Sequence, residues 1–294
     1  MNKSEVISFA EKTNNSLKLL LETSSLYKCG FGQCISASYC EIIQYRMCSF
    51  GACGSYCYIN AATNCRNYIL DSTIVSGTDG LSAISLCYGE PNMKSINVSN
   101  SQYPYDNFYY IDYIESNSSI TYSTFSDIDS HSPNDADGIT IYTEERFIEY
   151  KLSFCNFLRN VCDNLIRICE FTYYINCSFY NNNVSDLYIL GSRCIVQGCY
   201  LDISESESGK FAYAYEDNDD SIKIIDNASS PYPPNHHLSS SFCAAEKELG
   251  FPLYDYEYFI VKKTKTKEKT IENEISYEQN NNFIILIIAS FSYS

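Results

Sequence analysis

Carboxylates, thiols and phenols are the side chains of this chain that could do chemistry, and each kind is clustered. Four aspartates crowd the stretch "DIDSHSPNDAD": Asp127, Asp129, Asp135 and Asp137. An inverting glycosidase needs an acid and a base about 6.5–9.5 Å apart across the sugar, and Asp135 and Asp137 are candidates for one of those roles. The same oxygens could hold Ca²⁺, but the spacing is not that of an EF-hand. An acidic turn in which Gly138 opens the next strand accounts for the stretch without a ligand. The thiols of Cys29, Cys34, Cys48, Cys53 and Cys57 fall at C-x₄-C and C-x₃-C spacings. No neighbouring histidine completes a zinc site, so no metal is expected. Tyr103, Tyr105, Tyr109 and Tyr110, in "QYPYDNFYYIDY", are candidate contacts for a glycan or protein. Strand alternation would equally make Tyr109 and Ile111 inward positions.

The composition narrows what these groups can serve. The chain has 294 residues, 45% of them hydrophobic and only 19% charged, which argues for a large folded core and against global disorder. Tyr (28) and Phe (16) are abundant, as strands favour. The formal net charge of −16 would repel a phosphate backbone, so no nucleic-acid partner is expected. The basic cluster Lys262 to Thr270, "KKTKTKEKT", reads as a solvated linker. Fifteen cysteines is an odd count, and "MNKSEVISFAEKTNNSLKLLLE" does not read as a signal peptide. Reduced, buried thiols are therefore expected. The apolar run "FIILIIASF", Phe283 to Phe291, is far short of the roughly twenty residues of a membrane-spanning helix, so no complete transmembrane segment is expected.

The elements that must position these groups are written in a repeat. Taking the central apolar residue of each copy as an anchor, Phe179 in "CSFYNN" is preceded by Phe157 in "CNFLRN", Phe125, Val98, Ile74 and Phe50. It is followed by Leu201 in "CYLDIS", and a weaker copy stands at Phe31. A period in the low twenties, with insertions, is the mark of a repeat architecture, and the apolar–polar alternation within each copy is strand periodicity. Two or three short strands per period cannot bury their apolar side chains alone; stacked, they make a solenoid core. The expected fold is all-β: a right-handed parallel β-helix of about seven to eight rungs of roughly 22–24 residues, the hand following the crossover preference. The anchors should form an inward stack. The residue two before each anchor (Cys29, Cys48, Ser72, Ile96, Ser123, Cys155, Cys177 and Cys199) should form a small, apolar inward column. Rung spacing disfavours disulfides along it. The expected organisation is an N-terminal cap (1–24), the β-helix (25–205), a C-terminal cap (206–260) and a poorly ordered tail, basic and then apolar (261–294).

These repeats resemble the F-x-x-N repeats of right-handed β-helix surface proteins, the group of the bacterial polymorphic outer membrane proteins and similar proteins of parasitic protists such as trichomonads. The resemblance rests on "FLRN" (Phe157 to Asn160), "FYNN" (Phe179 to Asn182) and the looser copies at Cys48 and Cys177. It covers roughly residues 25–205; the G-G-A motif of that group is absent. It implies an elongated, surface-displayed, adhesin-like protein without catalysis or cofactor, whereas the N-terminus and odd cysteine count read as cytoplasmic. "SPNDADGITI" in turn resembles the S-P-N-T-D-G segment of polygalacturonase-type glycosidases, with one residue inserted. Their paired aspartates one rung later, Gly-His-Gly and Arg-x-Lys have no counterpart; only Asp163 stands nearby. The expected function is thus a non-catalytic scaffold binding a protein or glycan, and the alternative is a polysaccharide-acting hydrolase or lyase.

Overall fold

The computed structural model describes residues 7–10, 18–22, 25–27, 32–51, 54–61, 65–75, 83–102, 109–112, 118–130, 137–141, 149–203, 212–214, 222–232, 283–286 and 291–292. The chain is an all-β parallel solenoid, and no helix occurs among the described residues. Its strands stack in three ladders. The first runs through Lys18–Glu22, Glu41–Tyr45, Arg66–Leu70, Glu90–Lys94, Ser119–Thr121 and Tyr150–Ser153. It continues through the later halves of the long strands Val161–Ile175 and Asn183–Gln197 to Ile222–Ile225. The second holds Ser25–Tyr27, Cys48–Phe50, Thr73–Val75, Asn97–Gln102, Thr124–Asp129, Asn156–Leu158, Ser178–Tyr180 and Tyr200–Leu201. The third holds Ile7–Ala10, Gly32–Ser38, Gly54–Asn60, Ile84–Cys87, Tyr109–Asp112 and Asp137–Ile141, then the earlier halves of the two long strands and Ala212–Ala214. The rung count differs slightly from expectation, because Lys18–Glu22 and Ile222–Ile225 are also ladder members.

One spacing holds through the solenoid. From the first ladder to the second the chain always takes seven positions: Leu20 to Tyr27, Ile43 to Phe50, Tyr68 to Val75, Asn92 to Ser99, Ser119 to Ser126, Lys151 to Leu158 and Tyr173 to Tyr180. The insertions fall in the other two connections.

The anchors Ile74, Val98, Phe125, Phe157 and Phe179 share one buried column. The three phenyl rings stack at 5.4 and 5.0 Å between centroids. Leu201 continues the column and is half-buried where the stack ends. Phe50 departs from the expectation. Ser49, not Phe50, aligns with Ile74, and Phe50 aligns with Val75 on the opposite face, where it packs with Cys48 and Val75. In the rung before, Leu26 stands at the anchor position; the expected copy at Phe31, like Cys29, lies outside the described residues. The physical reason is the corner. Arg46 takes the left-handed turn there, so Met47 fills the inward corner slot and the anchor falls on Ser49.

That corner recurs in seven successive rungs among the described residues. Arg46, Asp71, Ser95, Tyr122, Phe154, Asn176 and Gly198 have φ between 46° and 61°, a conformation that residues other than Gly, Asn and Asp adopt at a cost of about 1–2 kcal/mol. At Gly198 a Cβ would also collide with the Asn176 side-chain oxygen, which would have to move aside. The next residue in each rung turns inward: Met47, Ser72, Ile96, Ser123, Cys155, Cys177 and Cys199, all buried. This column is not the apolar one expected. The inward residue's amide is met by a side chain from the following rung: Met47 N–H donates to Ser72 Oγ (3.1 Å), Ile96 N–H to Ser123 Oγ (3.4 Å) and Cys177 N–H to Cys199 Sγ (3.3 Å). The hydroxyl or thiol reaches a carbonyl in turn, Ser72 that of Leu70 (2.8 Å), Ser123 that of Thr121 (3.0 Å) and Cys177 that of Ile175 (3.5 Å). Serine and cysteine interchange because each is small and can both donate and accept. Cys155, Cys177 and Cys199 are free and buried, as expected. Cys48, on the other face, is disulfide-bonded.

The second corner explains the asparagine of F-x-x-N. Asp127, Arg159 and Asn181, two residues after their anchors, again have positive φ. Asn160 and Asn182 follow and point inward. Asn160 Nδ2 donates to the Phe125 carbonyl (3.0 Å), and Asn182 Nδ2 to that of Phe157 (2.9 Å). Their Oδ1 atoms accept from the amides of Ile128 (3.2 Å) and Asn160 (3.0 Å) in the preceding rungs. A bent backbone loses ladder partners, and a buried amide side chain supplies one donor and one acceptor in their place.

Candidate functional site

Asp137 opens the strand Asp137–Ile141 of the third ladder, in register with Asn164, while Thr140 is in register with Arg167. The carboxylate is 3% exposed. Asn164 Nδ2 donates to Oδ1 (2.8 Å); Arg167 and Thr140 Oγ1 both approach Oδ2 at 3.3 Å. Burial pushes this carboxyl above its ordinary range, against the pull of Asn164, Arg167 and Thr140. Asn164 Oδ1 is buried and meets no donor among the described residues. Arg167 is 40% exposed at its side chain, so the cluster joins the inside of the solenoid to its surface. Both carboxylate oxygens are engaged, Oδ1 by Asn164 and Oδ2 by Arg167 and Thr140.

The other acids do not converge on it as a cage. Asp127 pairs with Arg159 through two contacts of 2.6 Å on the outer surface. Asp163 accepts from Ser185 Oγ at 2.5 Å. Asp129 is exposed, in register with Val161. Asp163, Asp137 and Asp129 all lie near enough to Cys162 that their charges add to burial in raising its thiol. Among the described residues no group of His, Cys, Asp or Glu is arranged to hold a metal ion. Asp135 lies outside the described residues. Asn164, Arg167 and Thr140 were not legible as partners of Asp137; the signal available was "DNLIR", one rung along.

Of the tyrosine candidates, Tyr103 and Tyr105 lie outside the described residues. Tyr109 stands in register between Ile84 and Ile139, both buried. Tyr110 is half-buried on the opposite strand parity. The exposed aromatic surface is elsewhere. Among the described residues Tyr39, Tyr88, Tyr122, Phe154 and Tyr180 are 53%, 38%, 43%, 38% and 40% exposed, and the first four have positive φ, of 56°, 62°, 52° and 55°. Tyr122 and Phe154, at the same corner of successive rungs, stack at 4.9 Å with planes 3° apart. The left-handed turn aims its side chain at solvent, so an aromatic ring there is both strained and displayed. In sequence these two sit three residues before Phe125 and Phe157, a position that the anchor pattern left unread.

Burial works against thiolate formation at several of the cysteines. Burial pushes Cys57 and Cys194 up to about 12 and raises Cys162 and Cys177 as well. A thiol kept protonated is unreactive. No helix among the described residues is long and apolar enough to cross a membrane. No protein-family model, curated protein or solved structure matches the chain.

Proposed function

We propose that the protein is a non-catalytic β-solenoid scaffold that binds a glycan or protein partner through the aromatic side chains at its corners, in the adhesin-like manner that the F-x-x-N resemblance implies. The observation that carries this reading is that four of the five exposed aromatic rings among the described residues, Tyr39, Tyr88, Tyr122 and Phe154, stand in a left-handed conformation. Backbone strain of this kind persists where surrounding structure enforces it, and it clusters at functional positions. Exposed aromatic rings offer large contact area with little side-chain entropy to lose. Against a hydrolase role stands the engagement of both Asp137 oxygens inside the wall.

The test is a screen of the whole chain against glycans and cell surfaces for binding, and against plant and mucosal polysaccharides for turnover. Binding that is lost in Tyr122→Ala with Phe154→Ala, without turnover, supports the scaffold reading. Turnover that is abolished by Asp137→Asn overturns it in favour of a hydrolase or lyase.

A further inference from the structure

The strand Lys18–Glu22 carries a second parallel partner besides Glu41–Tyr45: Phe283–Leu286, with Lys18, Leu19, Leu20 and Leu21 opposite Phe283, Ile284, Ile285 and Leu286. Beside it, Phe291–Ser292 lies parallel on Leu26–Tyr27. From Ile285, opposite Leu20, to Ser292, opposite Tyr27, the chain takes seven positions, the first-to-second-ladder interval of every other rung. Ile284 and Leu286 fall at the register positions of the buried Leu19 and Leu21, and Phe291 at that of the buried Leu26, the anchor column. The sequence agrees: "ASF", Ala289 to Phe291, repeats the small–Ser–Phe order of "CSF", Cys177 to Phe179. Phe283–Leu286 and Phe291–Ser292 thus supply part of a rung, yet they pair with the end of the solenoid opposite to the one they follow in sequence.

We propose that the edge formed by Lys18–Glu22 and Ser25–Tyr27 is a strand-accepting site whose occupant is the chain's own 283–292 segment, a detachable partial rung that blocks addition of a second copy. An uncovered parallel edge presents a row of unpaired amides and carbonyls and invites pairing with another chain. In a solenoid that pairing is head to tail, a heterologous contact that extends without closing. The apolar positions of the segment make it a match for the Leu19, Leu21 and Leu26 columns, and Lys18 and Glu22 flank them with one charge of each sign.

Two measurements test this. A chain lacking residues 283–294 is compared with the full chain for amide hydrogen exchange at residues 18–22, for size against concentration, and for binding of a labelled 281–294 peptide. Protection at 18–22 falls at least tenfold, oligomers grow with concentration, and the peptide binds the truncated chain and restores both. The full-length double variant Ile284→Asp, Leu286→Asp behaves as the truncation does, and a peptide with the same two changes binds at least tenfold more weakly. The proposal is overturned if exchange at 18–22 is the same with and without the segment, or if the full chain takes up the peptide as readily as the truncated one.

Discussion

The rungs around Phe125, Phe157, Phe179 and Leu201 and those around Leu26, Ser49 and Ile74 solve the same problem with different residues. In the later rungs the anchors are three stacked phenyl rings followed by Leu201, the first corner holds Ser123 and then Cys155, Cys177 and Cys199, and asparagine caps the second corner in the rungs of Phe157 and Phe179. In the earlier rungs the anchor is a leucine, a serine and an isoleucine, and the first corner is filled by Met47 and Ser72. What the two regions share is backbone: left-handed corners and the seven-position interval. The comparison teaches that the coil geometry is the invariant, and that each column accepts whatever side chain fills it and answers the amide left over at the bend.

The largest effect should come from the regular half. Phe179→Ala removes a fully buried ring that stacks on Phe157 and meets the Tyr174 ring edge-on. It should cost about 3–5 kcal/mol in urea unfolding. Phe50→Ala, in its small cluster outside the main core, should cost only about 2 kcal/mol, the transfer free energy of one side chain. Equal losses at the two positions would erase the distinction between anchor and outer residue.

Next in size are the polar caps. Asn182→Ala leaves the Phe157 carbonyl and the Asn160 amide without the partner that each now has in Asn182. A loss of about 1–3 kcal/mol is expected, measured by the same unfolding experiment. Ser101, at the matching place three rungs earlier, carries a single hydroxyl in place of the amide group, and it donates to the Ser99 carbonyl (3.0 Å). The effect of Ser101→Ala should therefore be smaller than that of Asn182→Ala, and the reverse order would show that asparagine fills space rather than capping.

These pairs also mark what was legible in the sequence. Phe157, Phe179 and their asparagines recur at a fixed interval without insertions, so the anchor column could be written down from them. Ser49 could not be found, because a hydrophobic search takes the phenylalanine beside it; the cue was Arg46, three residues before, whose left-handed turn has no composition signal. Asp137 was legible as a lone acid in a loop, but its partners Asn164 and Arg167 come from the next rung and depend on register rather than on nearness in sequence. The corner aromatics were unread for the same reason that makes them informative: Tyr and Phe are not residues expected at positive φ.

The thiols sharpen the comparison chemically. Cys177→Ser should change stability by about 0.5–1.5 kcal/mol, the net scale of one hydrogen bond, because Ser72 and Ser123 already serve the same role in this column. Cys57 and Cys194 are pushed up to about 12 from an ordinary 9.0, so the folded chain holds these protons more tightly than the unfolded chain. Their contribution is full below about pH 9 and is lost as the pH climbs from there through about 12, by about 1.4 kcal/mol per pH unit per thiol. Unfolding midpoints that fall between pH 8 and 10 in the parent, and fall less in Cys57→Ser with Cys194→Ser, are the expected result. Rapid labelling of Cys155, Cys177 and Cys199 in the native state at pH 7 would contradict the sealed column.

The smallest expected change in stability is at Phe154, and it is the one that separates fold from function. Its ring stacks on Tyr122, a contact worth about 0.5–1.5 kcal/mol, while its φ of 55° costs a residue of this kind about 1–2 kcal/mol that asparagine largely avoids. Asn176 already occupies the equivalent corner one rung later, at φ 52°. Phe154→Asn therefore trades a stacking contact for relief of strain, and its unfolding midpoint should stay within about 0.5 kcal/mol of the parent. With the fold unchanged, partner binding becomes a direct reading of the corner. Binding weakened tenfold or more by Phe154→Asn would tie the displayed ring to recognition. Binding unchanged, in a variant that is measurably more stable, would mean that the left-handed aromatics serve only each other along the wall.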